Sequence, residues 1–263
     1  MILEFLLIIL IVGIVTAGLN IKFDRFLTII PLLFISNLVI FDAVNIFLWI
    51  ILLGSLTILL ANRERISAFP KAMKLKLFIL VPVLTAAASL IGSFLFSISS
   101  QYVLVIALGI IAALYGLRLV FLHFKPHELD LQDANPLISR LCGFFGPVLS
   151  GLSVGFIGTS LKPLKIPFAV KVGKMNLKQV YLGNVVTTFF ASSFAILWHF
   201  FMTKGMTSGI FYQQLLLGAA LWTGIHYVSE MTNIFFKDSF RKNFQIIVGL
   251  VLLAVSFRIF MMI

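Results

Sequence analysis

The chain has 263 residues, of which 61% are apolar and only 11% charged. Soluble domains carry roughly a quarter charged residues, because a water-facing surface needs them. This composition therefore excludes an ordinary soluble domain and indicates a surface that faces lipid. The single cysteine, Cys142, excludes an internal disulfide and a multi-cysteine metal site. The net charge of +11 is scattered over short loops and matches no nucleic-acid-binding module, so we expect no nucleic-acid partner.

Apolar runs follow one another along the chain in two series of five. The first series is 2–19, 26–41, 44–60, 77–96 and 102–124, and the second is 137–156, 163–172, 180–201, 213–236 and 244–263. A helical span needs about 20 apolar residues, so we predict eight full spans. The second run of each series is short and contains a proline, Pro31 or Pro167, which predicts two short proline-containing helices. The first run lacks a basic n-region, so we expect a retained helix rather than a signal peptide.

The two series match each other at equal spacing near both ends. The matched pairs are Pro31 to Val44 with Pro167 to Val180, and Gly109 to Arg118 with Gly249 to Arg258. Duplication explains agreement at both ends of a unit. We therefore predict one transmembrane domain, built from a repeat at about 1–124, a cytoplasmic linker at 125–136 and a repeat at about 137–263.

The charges of the loops indicate how the two halves are oriented. Basic loop 61–76 corresponds to the nearly uncharged 202–212, and uncharged 97–101 corresponds to the basic 237–243. An odd number of segments in each half places equivalent loops on opposite sides of the membrane. Because basic loops stay inside the cell, one loop of such a pair is basic and the other carries little charge. The sequence thus predicts an all-α polytopic protein of the cell membrane, with two inverted repeats of about five segments each and both termini outside.

One stretch resembles a known family of transporters. Residues 146–167 read GPVLSGLSVGFIGTSLKPLKIP, and both halves end in an apolar run with a central glycine and a G-L-R-L-like sequence. This pattern resembles the sulfite exporter TauE/SafE family of membrane transporters. The first half reads TAGLNIKFDRFLTIIP, without the double glycine of that family. The resemblance implies a secondary transporter for small sulfur-containing or carboxylate anions such as sulfite, sulfonates or sulfoacetate.

The breaks before the two prolines are the predicted anion site. Irregular backbone in a membrane is tolerated where it lines a cavity, and the N-terminus of a following helix favours an anion. Candidate ligands are Gly155, Gly158, Thr159, Ser160, Lys162 and Lys165 in the second half, and Asn20, Lys22 and Arg25 in the first. The alternative is that the glycines allow close helix packing and the lysines lie among lipid headgroups.

Polar residues on the long helices after the short ones are further candidates. They are Asn45, Asn184, Thr187, Thr188, Ser192 and Ser193. Hydroxyls in such helices more often bond their own backbone. Asn184 is the stronger candidate, since an amide in lipid needs a partner, and Asn45 and Thr187 are predicted to line the site with it.

Glu230 and His226 are candidates for proton coupling. They stand four residues apart and therefore share one face of a helix. An ionisable residue inside a span is a functional candidate by default. The alternative is that Glu230, near the end of its run, reaches the membrane interface.

Two other functions have to be weighed against a carrier. Residues 151–155 match the G-x-S-x-G pattern around Ser153, and His226 or His199 is then the base of an intramembrane serine protease. That elbow needs a strand-to-helix turn, which a helical context lacks, so we predict no enzyme and no cofactor. A passive anion channel shares every feature named above. The expected partners are a small anionic solute and the lipid bilayer, and a homodimer is compatible with the sequence.

Overall fold

The computed structural model describes residues 2–20, 26–121, 136–171, 176–202 and 207–261. Lys22, Arg25 and nearly all of the predicted linker lie outside them. Within these ranges every regular element is helical and no strand occurs. The helices are α1 (Ile2–Gly18), a 3-10 turn (Phe26–Thr28), α2 (Ile29–Phe34), α3 (Ile40–Ala61), α4 (Arg63–Ser67), α5 (Lys71–Leu75), a π-helical turn (Lys76–Leu80), α6 (Val81–Ile98), α7 (Gln101–Phe121), α8 (Pro136–Ile157), α9 (Lys162–Lys171), α10 (Leu177–Met202), α11 (Ser208–Asn233) and α12 (Asp238–Met261).

Five of the described helices are long and apolar enough to cross a membrane. They are Ile40–Ala61, Lys76–Ile98, Gln101–Phe121, Leu177–Met202 and Phe240–Met261. Apolar residues cover all sides of these helices, so exposed Ile110 and Leu117 of α7 lie beside buried Leu108 and Ala112. A helix that is apolar all round is typical of a membrane span. The predicted all-helical class is confirmed, and these five helices fit a membrane protein.

The two proline-containing segments form short helices. Helix α2 has 6 residues and includes Pro31, and α9 has 10 residues and includes Pro167. At about 1.5 Å per residue, they are roughly 9 and 15 Å long. A hydrocarbon core is about 30 Å thick, so neither helix alone is long enough to cross it.

The chain divides into two compact units, and each takes segments from both predicted repeats. Unit 1 comprises Met1–Ile50, Ser99–Lys125 and Tyr212–Ile263, and unit 2 comprises Ile51–Ile98 and Pro126–Phe211. Unit 1 therefore contains α1, α2, the start of α3, α7, most of α11 and α12. Unit 2 contains α6, α8, α9 and α10.

Unit 2 is held together by the close approach of α6 and α8. A Cβ at Gly92 would overlap the Leu152 carbonyl, and a Cβ at Gly155 would overlap the Ser89 carbonyl. Contacts between the two helices move toward the C-terminal ends of α6 and α8 together, so the helices run parallel. The Ser89 hydroxyl also donates a 2.7 Å hydrogen bond to the Ala191 carbonyl of α10. Small residues thus let three apolar helices pack backbone to backbone, as is common in membrane bundles.

In unit 1, α7 and α12 form an antiparallel pair whose contacts repeat at a constant offset. The two helices approach closely at Gly109, Gly116 and Gly249, and Gly109 and Gly249 stand 140 residues apart. Gly109 contacts Ser256, Ile259 and Phe260, whereas Gly249 contacts Gly116, Leu119 and Val120. Ser256, Ile259 and Phe260 stand 140 positions after Gly116, Leu119 and Val120, respectively. The crossing is therefore isologous, meaning that the same contacts occur twice around a local two-fold axis.

Candidate functional site

Unit 2 contains a cavity of about 200 Å³ between α8, α9, α10 and the π-helical turn that precedes α6. Its most polar lining residues are Lys76, Lys165, Gln179, Asn184 and Thr187. Two of the five are lysines and none is acidic. The cavity wall therefore carries a net positive charge, which favours an anion.

One face of α10 supplies much of this wall. Val180, Gly183, Asn184 and Thr187 all line the cavity, and their spacing of three, one and three residues places them on the same side of a helix. Gly183 leaves room there, because a Cβ added to it would meet only the Leu77 side chain, at 3.6 Å. The helix thus presents an amide and a hydroxyl to the cavity with no side chain between them.

Lys165 is held at the cavity by a chain of hydrogen bonds. Its Nζ donates to the Ser150 Oγ at 2.6 Å, and that hydroxyl donates to the Ser160 carbonyl at 2.9 Å. Ser150 and Ser160 are completely buried. The side chain of Lys165 is therefore tied to the end of α8 and to the connection that follows it, which fixes where the cation lies.

The connection between α8 and α9 has an unusual backbone. Gly158, with φ of 83°, and Leu161, with φ of 50°, both adopt the left-handed region. Glycine does so freely, but a left-handed leucine costs roughly 1–2 kcal/mol. The Leu161 carbonyl nevertheless accepts the Lys165 N–H at 2.9 Å, which begins α9. The packing around this connection thus holds a strained residue immediately before the helix that carries the cation.

Asn184 is a buried amide that lacks a partner. Its side chain is 3% exposed, and among the described residues neither Oδ1 nor Nδ2 has a hydrogen-bond partner. A buried polar group without a partner costs about 1–3 kcal/mol, so such groups are rare unless a ligand or water satisfies them. Asn184 also lines the cavity, so the wall includes hydrogen-bonding groups that no described residue satisfies.

Two departures from regular α-helix occur at the same cavity. The segment Lys76–Leu80 is π-helical, a form that is often found at functional sites. Pro147 lies inside α8 and has no N–H to donate to the carbonyl of Gly143, four residues earlier. Lys76, Gly143 and Pro147 all line the cavity. Irregular backbone in a membrane helix is tolerated where it is buried or faces a cavity.

The residues predicted around the break before Pro167 lie in different surroundings. Lys165, Asn184 and Thr187 line the cavity. Lys162 instead lies over the Tyr181 ring, 4.7 Å from its centre. Gly158, Thr159 and Ser160 are buried and are not among the residues that line the cavity. Gly155 serves the close packing of α8 against α6.

The residues predicted in the first half belong to unit 1. Asn20 is exposed at the end of α1, where it adopts φ of 53°. Asn45 is 5% exposed within α3. Glu230 and His226 are both exposed on α11, and the His226 ring stacks on Trp222 at 5.6 Å between centroids.

The hydroxyls of α10 named in the sequence analysis, and that of Ser153, bond the backbone of their own helices. Thr187, Thr188, Ser192 and Ser193 each donate to the carbonyl four residues earlier, as predicted for such side chains. Ser153 Oγ donates to the Ser150 carbonyl at 3.2 Å. His199 is 2% exposed and stacks on Phe96 at 4.3 Å between centroids.

Several cavity residues had no signal that singled them out in the sequence. Lys76 reads as the last charge of a basic loop, yet it begins the span Lys76–Ile98 and lines the cavity. Cys142, Gly143 and Pro147 lie in an apolar run, and only Pro147 departs from what a plain span contains. Pro147 is therefore the one local signal in the sequence that could have pointed to this wall.

No family model matches the chain, and neither a curated protein nor a solved structure matches it.

Proposed function

We propose that this chain is a secondary transporter that carries a small anion, such as sulfite, a sulfonate or a carboxylate, across the cell membrane. The observation that carries the proposal is the cavity of unit 2, where Lys165 is anchored beside the unpartnered amide of Asn184. The TauE/SafE-like sequence at 146–167 overlaps this wall, since it includes Gly146, Pro147 and Lys165.

The charge at the cavity favours an anion for a simple electrostatic reason. Two opposite charges 4 Å apart attract by about 4 kcal/mol at an effective dielectric constant near 20, against about 1 kcal/mol in water. Lys165 is partly buried and fixed by Ser150, so little side-chain freedom is lost when a solute binds beside it. The volume of about 200 Å³ far exceeds the roughly 10–15 Å³ that one water requires, which leaves room for a small polyatomic ion.

The proposal includes eight spans and two short helices arranged as two inverted repeats. Unit 1 contains the first two segments of repeat 1 and the start of the third, with the fourth of repeat 2; unit 2 contains the first three segments of repeat 2 with the fourth of repeat 1 and the end of its third. This reciprocal exchange is what two interleaved copies of one motif produce. The fifth segments, α7 and α12, run antiparallel with contacts that repeat at an offset of 140 residues. Opposite direction of equivalent helices supports inverted rather than parallel repeats.

A second pair of contacts supports the same arrangement. In unit 1, Gly13 approaches Val228 and Gly224 approaches Ile9, so α1 and α11 run parallel. Their equivalents in unit 2, α8 and α6, are also parallel and also meet at glycines, such as Gly151 against the Thr85 carbonyl. Both units thus combine a first segment with the fourth segment of the other repeat in the same direction.

Flux through proteoliposomes tests the proposal. The purified chain is reconstituted, and uptake of sulfite, methanesulfonate and acetate is measured with and without a pH gradient. A carrier gives saturable uptake that a gradient of a coupling ion drives uphill. Saturable uptake that never exceeds equilibrium contradicts ion coupling, and non-saturable uptake identifies a channel. No uptake of any of the three anions by protein that remains folded contradicts the proposal.

A further inference from the structure

The cavity wall presents oxygen acceptors as well as cations. Asn184 Oδ1 has no partner among the described residues. The Thr187 hydroxyl donates its hydrogen to the Gly183 carbonyl at 2.8 Å, so its oxygen has only lone pairs left to offer. The carbonyl of Gly143 cannot receive its usual intrahelical hydrogen bond, because Pro147 lacks an N–H. An anion bound here therefore meets acceptors beside the two lysines.

A simple anion matches only half of this wall. The oxygens of acetate or of a sulfonate accept hydrogen bonds and donate none, so they pair with the lysine ammonium groups and with Asn184 Nδ2. Asn184 Oδ1 and the Thr187 oxygen then face the lone pairs of the anion and receive no hydrogen from it. A buried acceptor that remains unsatisfied is costly, whereas a solute with a donor next to its charge satisfies both kinds of group at once.

We propose that the preferred solute is a monoanion with a hydroxyl donor beside its acidic group, a small hydroxy acid or hydroxyalkyl sulfonate, and that Asn184 and Thr187 recognise this hydroxyl while Lys165 binds the charge. This inference rests on the proposed function, because it specifies which anions the cavity of unit 2 accepts. Sites built to pair a substrate hydroxyl reject the analogue without it far more strongly than an apolar pocket rejects a methyl group. We expect discrimination of at least tenfold.

Cys142 provides a built-in reporter for the test. It is the only cysteine of the chain, it is partly exposed, and it lines the same cavity. A solute in the cavity slows the reaction of this thiol with N-ethylmaleimide. The full chain in detergent is labelled in the presence of two nearly isosteric pairs, glycolate with propionate and 2-hydroxyethanesulfonate with propane-1-sulfonate, and calorimetric titration measures the same affinities without the label.

In the native chain, the hydroxyl member of each pair should protect at a concentration at least tenfold lower than its methyl counterpart. Asn184→Leu should reduce that ratio to about one. Gln213→Leu, which removes an exposed amide from α11 in unit 1, should leave the ratio unchanged. Lys165→Met should weaken both members of a pair by similar factors.

The outcomes separate the two proposals. Equal protection by both members of each pair overturns the hydroxyl inference and leaves the anion site intact. Neither protection nor heat with any of the four anions overturns the proposed function itself. The native comparison requires no variant, so the hydroxyl inference remains testable even where Asn184→Leu fails to fold.

Discussion

The Lys165 ammonium donates a 2.6 Å hydrogen bond to the Ser150 hydroxyl. This contact joins two helices, because Ser150 lies on α8 and Lys165 on α9. The same hydroxyl donates to the Ser160 carbonyl in the strained connection between them. A single buried serine therefore couples the position of the cavity's cation to the backbone that turns α8 into α9.

Removing the cation at this contact should weaken anion binding. Lys165→Ala should lower the affinity for the transported anion at least tenfold, which corresponds to about 1.4 kcal/mol. Lys71→Ala is the matched control, since Lys71 is exposed at the start of α5 and lies outside the cavity lining. Binding is measured by calorimetry in detergent. Equal small effects of both substitutions would indicate that the lysines only orient the protein.

Removing the serine should affect stability as well as binding. Ser150→Ala removes one hydrogen-bond donor from the Ser160 carbonyl and one acceptor from Lys165, and loss of such a buried hydrogen bond costs about 1–3 kcal/mol. Ser153→Ala is the control, because its hydroxyl bonds only the carbonyl of residue 150 in its own helix. Thermal unfolding in detergent compares the two. If Ser153→Ala abolished activity and Ser150→Ala did not, a serine protease would regain support.

Filling the cavity should block binding without unfolding the protein. Gly183→Val adds a Cβ that has only the Leu77 side chain within 4 Å, at 3.6 Å, and two methyl groups beyond it, so the fold should be preserved and anion affinity reduced. Gly155→Ala should do the opposite, since its Cβ overlaps the Ser89 backbone; overpacking of this kind costs typically 1–3 kcal/mol. Gly209→Ala, at an exposed position with only Thr207 nearby, should change neither. A destabilised Gly183→Val variant with normal affinity would contradict this account of the cavity.

Cysteine labelling should test the proposed topology. In a Cys142→Ser background, a cysteine at Ser99 should react with an impermeant maleimide added outside intact cells, because the connection between α6 and α7 lacks charge. A cysteine at Ala68, between α4 and α5, should react only after the membrane is opened, since basic loops stay inside. Unsubstituted Cys142→Ser protein sets the background. The reverse pattern at the two positions would refute both the orientation and the external termini.

Glu230 should determine whether transport responds to a proton gradient. If it carries the coupling proton, Glu230→Gln should abolish the dependence of uptake on a pH gradient while leaving equilibrium exchange intact. His226→Gln on the same face should reduce that dependence. Glu64→Gln, at an exposed position of α4, serves as the control. Unchanged pH dependence in Glu230→Gln would assign this residue to the membrane interface, where its exposure on α11 is sufficient explanation.

The fold class and part of the cavity follow from the sequence for a physical reason. A composition so poor in charge has few solutions other than apolar helices in lipid, and a proline with a short apolar run predicts a short helix. Lys165 and Asn184 were predictable because a cation and an amide inside apolar runs need partners. Lys76 and Gly143 were not, since they reach the cavity only through the packing of segments more than sixty residues apart. The connection after α8 illustrates the limit of local reasoning, because Thr159 and Ser160, which we expected to face a solute, are completely buried.

The isologous crossing of α7 and α12 also carries a record of ancestry. Under the proposed duplication, the two halves descend from a chain of half the length. Two copies of that chain paired in opposite orientations, which explains why the halves meet through the same residues twice. Fusion of the two genes then fixed that antiparallel dimer. Fusion freed the copies to diverge. Two residues before its proline, the second half has Lys165 and the first has Ile29, which is completely buried. On this proposal, one descendant half now has a cation at this position and the other an apolar side chain, so duplication of a symmetric pair gives a chemically one-sided protein.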